Sequence, residues 1–135
     1  MKILVIDGQG GGIGKQLVSN IKQADIDAEV MAVGTNSAAS SAMLKAGADN
    51  VATGENAVIV ACRTADVIVG PVGIVIADSL LGEITPKMAL AVAQSNAKRL
   101  LIPTNRCNNF VLGVSDISVS TLISKCINKI KSLSC

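Results

Sequence analysis

The chain has 135 residues, of which 50% are hydrophobic and 16% are charged, and its formal net charge is +2. So small an excess of positive charge does not mark a nucleic-acid-binding surface, and the single aromatic residue, Phe110, offers no platform on which bases could stack. Histidine and tyrosine are both absent. Serine–histidine and cysteine–histidine mechanisms are therefore excluded within one chain, because the general base is missing.

The four cysteines show no CxxC spacing, and no apolar run approaches the length that spans a membrane. Met1 leads directly into a strand-like run instead of a charged stretch followed by a long apolar segment. We therefore expect a cytoplasmic protein with free thiols, without a metal site and without a membrane or nucleic-acid partner.

Short apolar runs alternate with helical patterns along the chain, which is typical of repeated β–α units. Strands are predicted at residues 2–6, 28–34, 49–52, 65–70 and 99–103, with a short sixth strand at 109–114. Helices are predicted around Ile13, Leu17 and Ile21, at residues 38–46, 53–63 and 86–95, and around Leu122, Cys126 and Ile130. This order predicts a single domain over residues 1–135, a three-layer, doubly wound α/β fold whose mainly parallel sheet is Rossmann-like, with five to six strands.

Several helix boundaries carry local signals. Asn36 or Ser37 can cap the second helix, and Gly47 can end it. Thr85 followed by Pro86 predicts the start of the fourth helix. The apolar segment "IVIADSLLG" before it predicts either a short buried helix or an exposed patch that closes a homodimer, and we favour the homodimer.

The stretch "ILVIDGQGGGIGKQ" places a glycine-rich loop between the first strand and the first helix. Glycines let the backbone approach an anion, and free amides at the start of a helix can hold a phosphate. Asp7 is expected to accept backbone hydrogen bonds within this loop. The predicted cofactor-binding residues of the loop are Gly8, Gln9, Gly10, Gly11, Gly12, Ile13, Gly14 and Lys15.

The sequence of this loop is similar to two known nucleotide-binding motifs. Gly8, Gly12 and Gly14 match GxxxGxG, which resembles the nucleotide fingerprint of short-chain dehydrogenases, but the tyrosine that this family needs for catalysis is absent. "GGIGK" is similar to the deviant P-loop of the ParA and nitrogenase-iron-protein ATPases. Gly10 and Gln16 stand where those proteins carry a lysine and a magnesium-binding hydroxyl, so a deviant P-loop ATPase or GTPase is the weaker alternative.

The second strand ends in "VGTN", without the acid that usually holds the ribose of NAD. Thr35 and Asn36 can hydrogen-bond a ribose or a 2′-phosphate instead, and Gly70 and Pro71 end the fourth strand near the expected ligand crevice. The sequence therefore predicts a small nucleotide-binding protein whose cofactor is NADP or another dinucleotide, with no metal.

A second polar cluster, "IPTNRCNN", follows the fifth strand. Asn105, Arg106 and Cys107 are the predicted substrate-binding residues, because a guanidinium can grip a phosphate or carboxylate in a bidentate manner. The alternative function is therefore an enzyme that acts on a small phosphorylated or carboxylated substrate through the loop 104–109, its catalytic residues unassigned. Glu83 is expected to be a solvated acid at the start of a helix.

Over its whole length the chain resembles an uncharacterised family of short bacterial proteins of unknown function. The resemblance rests on "VIDGQGGGIGK", "GTN", "AMLKAGA", "ATGENA", "DVIVGP" followed by "GI", "LGEITP" and "IPTNRCN". It implies a single-domain Rossmann-like fold and assigns no activity.

Overall fold

The computed structural model describes residues 1–104, 108–114 and 116–134. One sheet contains the five strands β1 (Lys2–Asp7), β2 (Glu29–Gly34), β3 (Asn50–Thr53), β4 (Val67–Pro71) and β5 (Lys98–Ile102). All of its pairings are parallel, and the strand order is β3-β2-β1-β4-β5. The α-helices are α1 (Gly12–Gln23), α2 (Ser37–Lys45), α3 (Glu55–Cys62), α4 (Pro86–Gln94) and α5 (Val119–Leu133). The predicted fold class is confirmed.

Helices cover both faces of the sheet. Side chains of the central strand β1 alternate between the faces, as the period of a strand requires. Ile3 and Val5 pack with α1, α2 and α5, whereas Leu4 and Ile6 pack with α3 and α4. Because both faces of β1 are covered, residues 3–7 are all buried, which accounts for the continuous apolar run in the sequence.

The predicted caps of two helices are confirmed. The Asn36 side chain accepts a hydrogen bond from the Ala39 amide at 2.9 Å and begins α2. The Thr85 hydroxyl accepts one from the Met88 amide at 3.2 Å, with Pro86 as the first residue of α4. The start of α3 differs from the prediction, because Gly54, with φ of +103°, is the capping residue and the helix begins two residues after Thr53.

The predicted sixth strand is wrong. Residues 109–114 contain no strand, and a turn at Leu112 and Gly113 interrupts them. Gly113 has φ of +89°, which is outside the extended region, and the side chains of Phe110 and Leu112 are exposed. A strand here would have needed one buried face to hold it on the edge of the sheet beside β5.

The connection between β4 and α4 is neither of the two predicted forms. It begins with a 3₁₀ turn at Val72–Val75 and continues without an α-helix. Ile74, Leu80 and Ile84 are buried in the core on the α3 and α4 face, so the expected apolar patch is reduced mainly to Leu81, which is 88% exposed. The dimer that this patch was expected to close stays a prediction.

In the part of the chain that the structure describes, no helix combines the length and apolar character needed to span a membrane.

Candidate functional site

A cleft opens at the carboxyl edge of the sheet, where β1 and β4 are neighbours but their following connections leave toward opposite faces. Doubly wound proteins bind ligands at this switch point. The cleft has a volume of about 530 Å³. Its lining comes from the glycine loop, the ends of β4 and β5, and the start of α5: Asp7, Gly8, Gln9, Gly10, Gly12, Ile13, Gln16, Pro71, Leu80, Pro103, Thr104, Val114, Ile117, Val119 and Leu122.

Asp7 organises the glycine loop. Its buried carboxylate accepts hydrogen bonds from the amides of Gly8 at 2.8 Å and Gly14 at 2.6 Å, so one side chain joins both ends of the loop. The Gly11 amide closes a turn onto the Gly8 carbonyl at 2.9 Å. The predicted structural role of Asp7 is confirmed.

Three of the loop glycines are required by close packing. A Cβ atom on Gly11 would lie 2.8 Å from Ala39 Cα, and Gly11 also has φ of +72°. A Cβ atom on Gly14 would lie 2.7 Å from Met43 Sδ, and one on Gly8 would lie 2.7 Å from Thr35 Oγ1. The fold itself therefore explains these glycines without any ligand.

The fold does not explain Gly10 and Gly12. A Cβ atom at either position would meet no atom within 4 Å, and neither residue has a positive φ. Both residues line the cleft and both are exposed. A side chain at these two positions would project into open space beside the loop.

The amides in the first turn of α1 differ in whether they have an acceptor among the described residues. The amide of Gly14 donates to Asp7, and that of Lys15 donates to the Gly11 carbonyl at 2.8 Å. Within residues 1–104, 108–114 and 116–134, the amides of Gly12 and Ile13 have no acceptor. The first amides of a helix lack partners inside the helix and favour negative charge.

Glu83 is a residue of this region that the sequence-based interpretation misjudged. It is half-buried, and its carboxylate accepts hydrogen bonds from the Gln9 amide at 3.0 Å, from Thr35 Oγ1 at 2.9 Å and from Asn36 Nδ2 at 2.6 Å. The expectation of a solvated acid is therefore wrong. The end of β2 itself carries no acid, as the sequence shows, but the connection before α4 brings one beside it.

A weak signal for Glu83 was present in the sequence. Every β–α connection of a parallel sheet lies at the carboxyl edge, so an acid in "LGEITP" had to lie at the same edge as the glycine loop. Which donors it reaches depends on the course of the connection, where Asp78, Leu80 and Leu81 all have positive φ. Local sequence patterns do not predict three such residues.

Thr35 and Asn36 lie beside the glycine loop, as expected, but their polar side-chain atoms are already bonded within the protein. The Asn36 amide group donates to the Gln9 carbonyl at 2.8 Å in addition to Glu83. The pair therefore ties the loop after β1 to the end of β2. Any ligand at this position would meet the carboxylate of Glu83 as well.

The remaining predicted site residues do not all line the cleft. Pro71 lines the cleft, whereas Gly70 is buried, and a Cβ atom there would overlap the Ile6 carbonyl, so close strand packing explains this glycine. Lys15 is exposed and is not part of the cleft lining. The predicted substrate-binding residues Asn105, Arg106 and Cys107 lie outside the described residues.

The two described cysteines offer no reactive thiolate to this site. Cys62 and Cys126 are free and buried, and burial raises the pKa of each thiol to about 11. Neither residue lines the cleft. Among the described residues there is also no group of three or more Cys, Asp or Glu side chains that could hold a metal ion.

The strand order and the glycine-rich loop at the switch point define a Rossmann-like α/β protein. The chain belongs to the family described as a domain of unknown function (DUF3842), which matches it over residues 2–134. No curated protein sequence matches it.

Two solved structures are similar in fold. A dodecameric FMN-dependent UbiX-like decarboxylase from Escherichia coli O157:H7 has a TM-score of 0.53 and 16% identity, over 98% of this chain and 93% of that one. A nucleoside-diphosphate-sugar epimerase from Pseudomonas aeruginosa has a TM-score of 0.50 and 14% identity. The similarity to the epimerase covers 96% of this chain but only 46% of the epimerase chain. At these identities the likeness concerns the fold.

Proposed function

We propose that this protein binds a nucleotide whose phosphate lies on the glycine loop, against the amides of Gly12 and Ile13. The observation that carries the proposal is the pair Gly10 and Gly12, which line the cleft although the fold leaves room for a side chain at both. A bound phosphate would require glycine there, since a side chain would keep it from the backbone.

The rest of the cleft suits the remainder of such a ligand. Its volume of about 530 Å³ is within the range of small-molecule sites, roughly 300 to 1,000 Å³. Beyond the glycine loop the lining becomes apolar, with Val114, Ile117 and Leu122. We infer that the phosphate lies at the loop and that the base or ring system extends toward these side chains.

The names of the two similar structures agree with a nucleotide ligand, since one is FMN-dependent and the other acts on a nucleoside-diphosphate sugar. For this chain, the sequence favours NADP because no acid directly follows β2. Glu83 removes that reason, because its carboxylate bonds Thr35 and Asn36. The proposal is therefore a nucleotide or dinucleotide, to be identified by binding.

Isothermal titration calorimetry with AMP, ADP, ATP, GTP, FMN, NAD and NADP tests the proposal. We expect wild-type protein to bind at least one of them, and Gly12→Val to lose that binding while keeping its unfolding midpoint. Ala38→Val is the matched control, because it places the same side chain in the exposed first turn of α2. Absence of binding by wild-type protein at millimolar concentration of every nucleotide would overturn the proposal.

The second candidate is an enzyme that uses the loop 104–109 on a small phosphorylated or carboxylated substrate. Thr104 lines the cleft, so this loop begins at its border. Arg106→Ala separates the candidates. It would abolish turnover of such a substrate in the enzyme, but would change nucleotide affinity little if the loop takes no part in holding the nucleotide.

We also propose that the protein is a homodimer. Leu81, Phe110 and Leu112 are 88%, 76% and 91% exposed, respectively, and large apolar side chains in water favour a covering surface. Light scattering coupled to size-exclusion chromatography tests this. A mass of one chain at micromolar concentration would exclude a stable dimer.

A further inference from the structure

Glu83 brings a negative charge to the junction of two loops. Its carboxylate contacts Gln9 of the glycine loop and Thr35 and Asn36 directly after β2. In Rossmann-like proteins the ribose next to the bound phosphate lies between these two loops. In those proteins a side chain at the end of β2 normally supplies the acid beside the ribose. Here the nearest acid, Glu83, comes from the connection between β4 and α4.

The segment that carries Glu83 is fixed by backbone hydrogen bonds and by a buried side chain. The Asp78 amide donates to the Ile84 carbonyl at 2.7 Å, and the Ile84 amide donates to the Ser79 carbonyl at 3.2 Å. Leu80 is buried in the same connection. The segment that carries Glu83 is therefore fixed by its own contacts, and Glu83 reaches the cleft border through Gln9, which lines the cleft, although Glu83 is not itself among the lining residues.

The hydrogen bonds to Glu83 leave acceptor capacity on one oxygen. Oε1 accepts from the Thr35 hydroxyl, from the Asn36 side-chain amide and, at 3.2 Å, from the Gln9 amide, whereas the only donor to Oε2 among the described residues is the same Gln9 amide, at 3.0 Å. An ionised carboxylate has about four acceptor positions in all. Oε2 can thus accept a further hydrogen bond from a hydroxyl, which is a donor.

Among the described residues, no cation neutralises the charge of Glu83. In the described part of the chain the carboxylate forms no ion pair, and its partners are a backbone amide, a hydroxyl and a side-chain amide. A phosphate group beside it would add negative charge and would offer only acceptors at neutral pH. Both features make a phosphate unfavourable where a hydroxyl is favourable.

We propose that Glu83 selects nucleotides whose ribose has a free 2′-hydroxyl, by accepting a hydrogen bond from that hydroxyl and repelling a 2′-phosphate. This inference rests on the proposed function, because it requires a nucleotide phosphate on the glycine loop. The expected ligands are then NAD or simple adenosine nucleotides, in preference to NADP.

The test compares AMP with adenosine 2′,5′-bisphosphate, which differ only in the 2′-phosphate, and NAD with NADP. We expect wild-type protein to bind the ligand with the free hydroxyl about tenfold or more tightly, as repulsion between near charges predicts. In Glu83→Gln this preference should fall to within about threefold, since the charge is gone but one acceptor oxygen remains. A purely structural role would weaken both ligands equally and leave their ratio unchanged.

Glu29→Gln is the control, because it removes the same charge at the opposite end of β2, where Glu29 is exposed. In this control variant the ratio of the affinities for the ligands with and without a 2′-phosphate should equal that of wild-type protein. Equal wild-type affinities, tighter binding of the 2′-phosphorylated ligands, or an unchanged ratio in Glu83→Gln would each overturn the inference alone. The wild-type ratio needs no variant, so it decides the matter even if Glu83→Gln does not fold. Failure of every nucleotide to bind would instead overturn the proposed function, and this inference with it.

Discussion

The Asp7 carboxylate accepts the Gly14 amide at 2.6 Å, across the seven residues of the glycine loop, while its other oxygen accepts the Gly8 amide. One buried side chain therefore sets the distance between the end of β1 and the first turn of α1. The shape of the loop is thus established by the protein's own hydrogen bonds, which would reduce the cost of ordering the loop if a ligand binds there.

Replacing this carboxylate should destabilise the protein. In Asp7→Asn an amide group replaces one acceptor oxygen and faces a backbone N–H group, leaving a buried donor unsatisfied. We expect the free energy of unfolding to fall by about 1–3 kcal/mol, measured by urea denaturation. Asp27→Asn, at an exposed position, is the control and should change it little. A similar loss in both variants would contradict the assigned role of Asp7.

The loop glycines should divide into two groups when each is replaced by alanine. Gly14→Ala should lower the free energy of unfolding by about 1–3 kcal/mol, because its Cβ must displace Met43 or Asp7. Gly10→Ala should stay within about 0.5 kcal/mol of wild type, because its Cβ meets open space. Chemical denaturation of the two variants checks this. Equal destabilisation would show that Gly10 also has a packing role.

The start of α4 depends on Thr85. Its hydroxyl accepts the Met88 amide and donates to Glu55 Oε1 at 2.6 Å. Thr85→Ala should therefore lower the free energy of unfolding by about 0.5–2 kcal/mol, as the loss of a helix cap does. Thr85→Ser keeps the hydroxyl and should recover most of the difference in thermal or urea unfolding. A serine variant no better than alanine would mean that the methyl group matters more than the cap.

Stability should decline at alkaline pH through the buried thiols. Burial raises the pKa of Cys62 and Cys126 from 9.0 to about 11. Between these values the folded state binds more protons than the unfolded state, so the free energy of unfolding falls as the pH rises. Below pH 9 both states keep the thiols protonated and the full stability is present. Urea unfolding from pH 7 to 11 measures the decline.

The matched comparison for this pH dependence is the double variant Cys62→Ala and Cys126→Ala. Lysines and other groups that titrate at high pH are the same in both proteins, so the difference between the two curves isolates the thiols. The double variant should lose less stability between pH 9 and 11. Parallel curves would show that these thiols ionise as easily in the folded chain as in the unfolded one.

Most of the fold could be predicted because it depends on residues that are neighbours in the chain. Runs of apolar residues identify strands that are buried on both faces, and local residues mark where helices start, as at Asn36 and Thr85. The prediction of a sixth strand was wrong because it also depended only on local sequence. Residues 109–114 are apolar enough to be a strand, but an apolar pattern does not show whether a sheet edge has a face to bury it.

The candidate site could be predicted only in part. The glycine loop, the structural role of Asp7 and the crevice beside Pro71 follow from the order of strands and helices. Local patterns indicate an acid only within or directly after β2, so they do not reveal an acid that the fold brings there from another connection. Glu83 lies 48 residues from Thr35 in the chain and meets it through a connection whose left-handed residues have no simple sequence pattern.

The sequence by itself determined the alternating strands and helices, their caps and the position of the glycine loop, since these follow from periodicity and from interactions a few residues apart. The tertiary structure alone decided which glycines serve packing and which face the cleft, and that Glu83 contacts Thr35 and Asn36. These depend on how closely distant segments approach. A difference of about one ångström between backbones decides whether a Cβ atom fits, and residue types do not encode that distance locally.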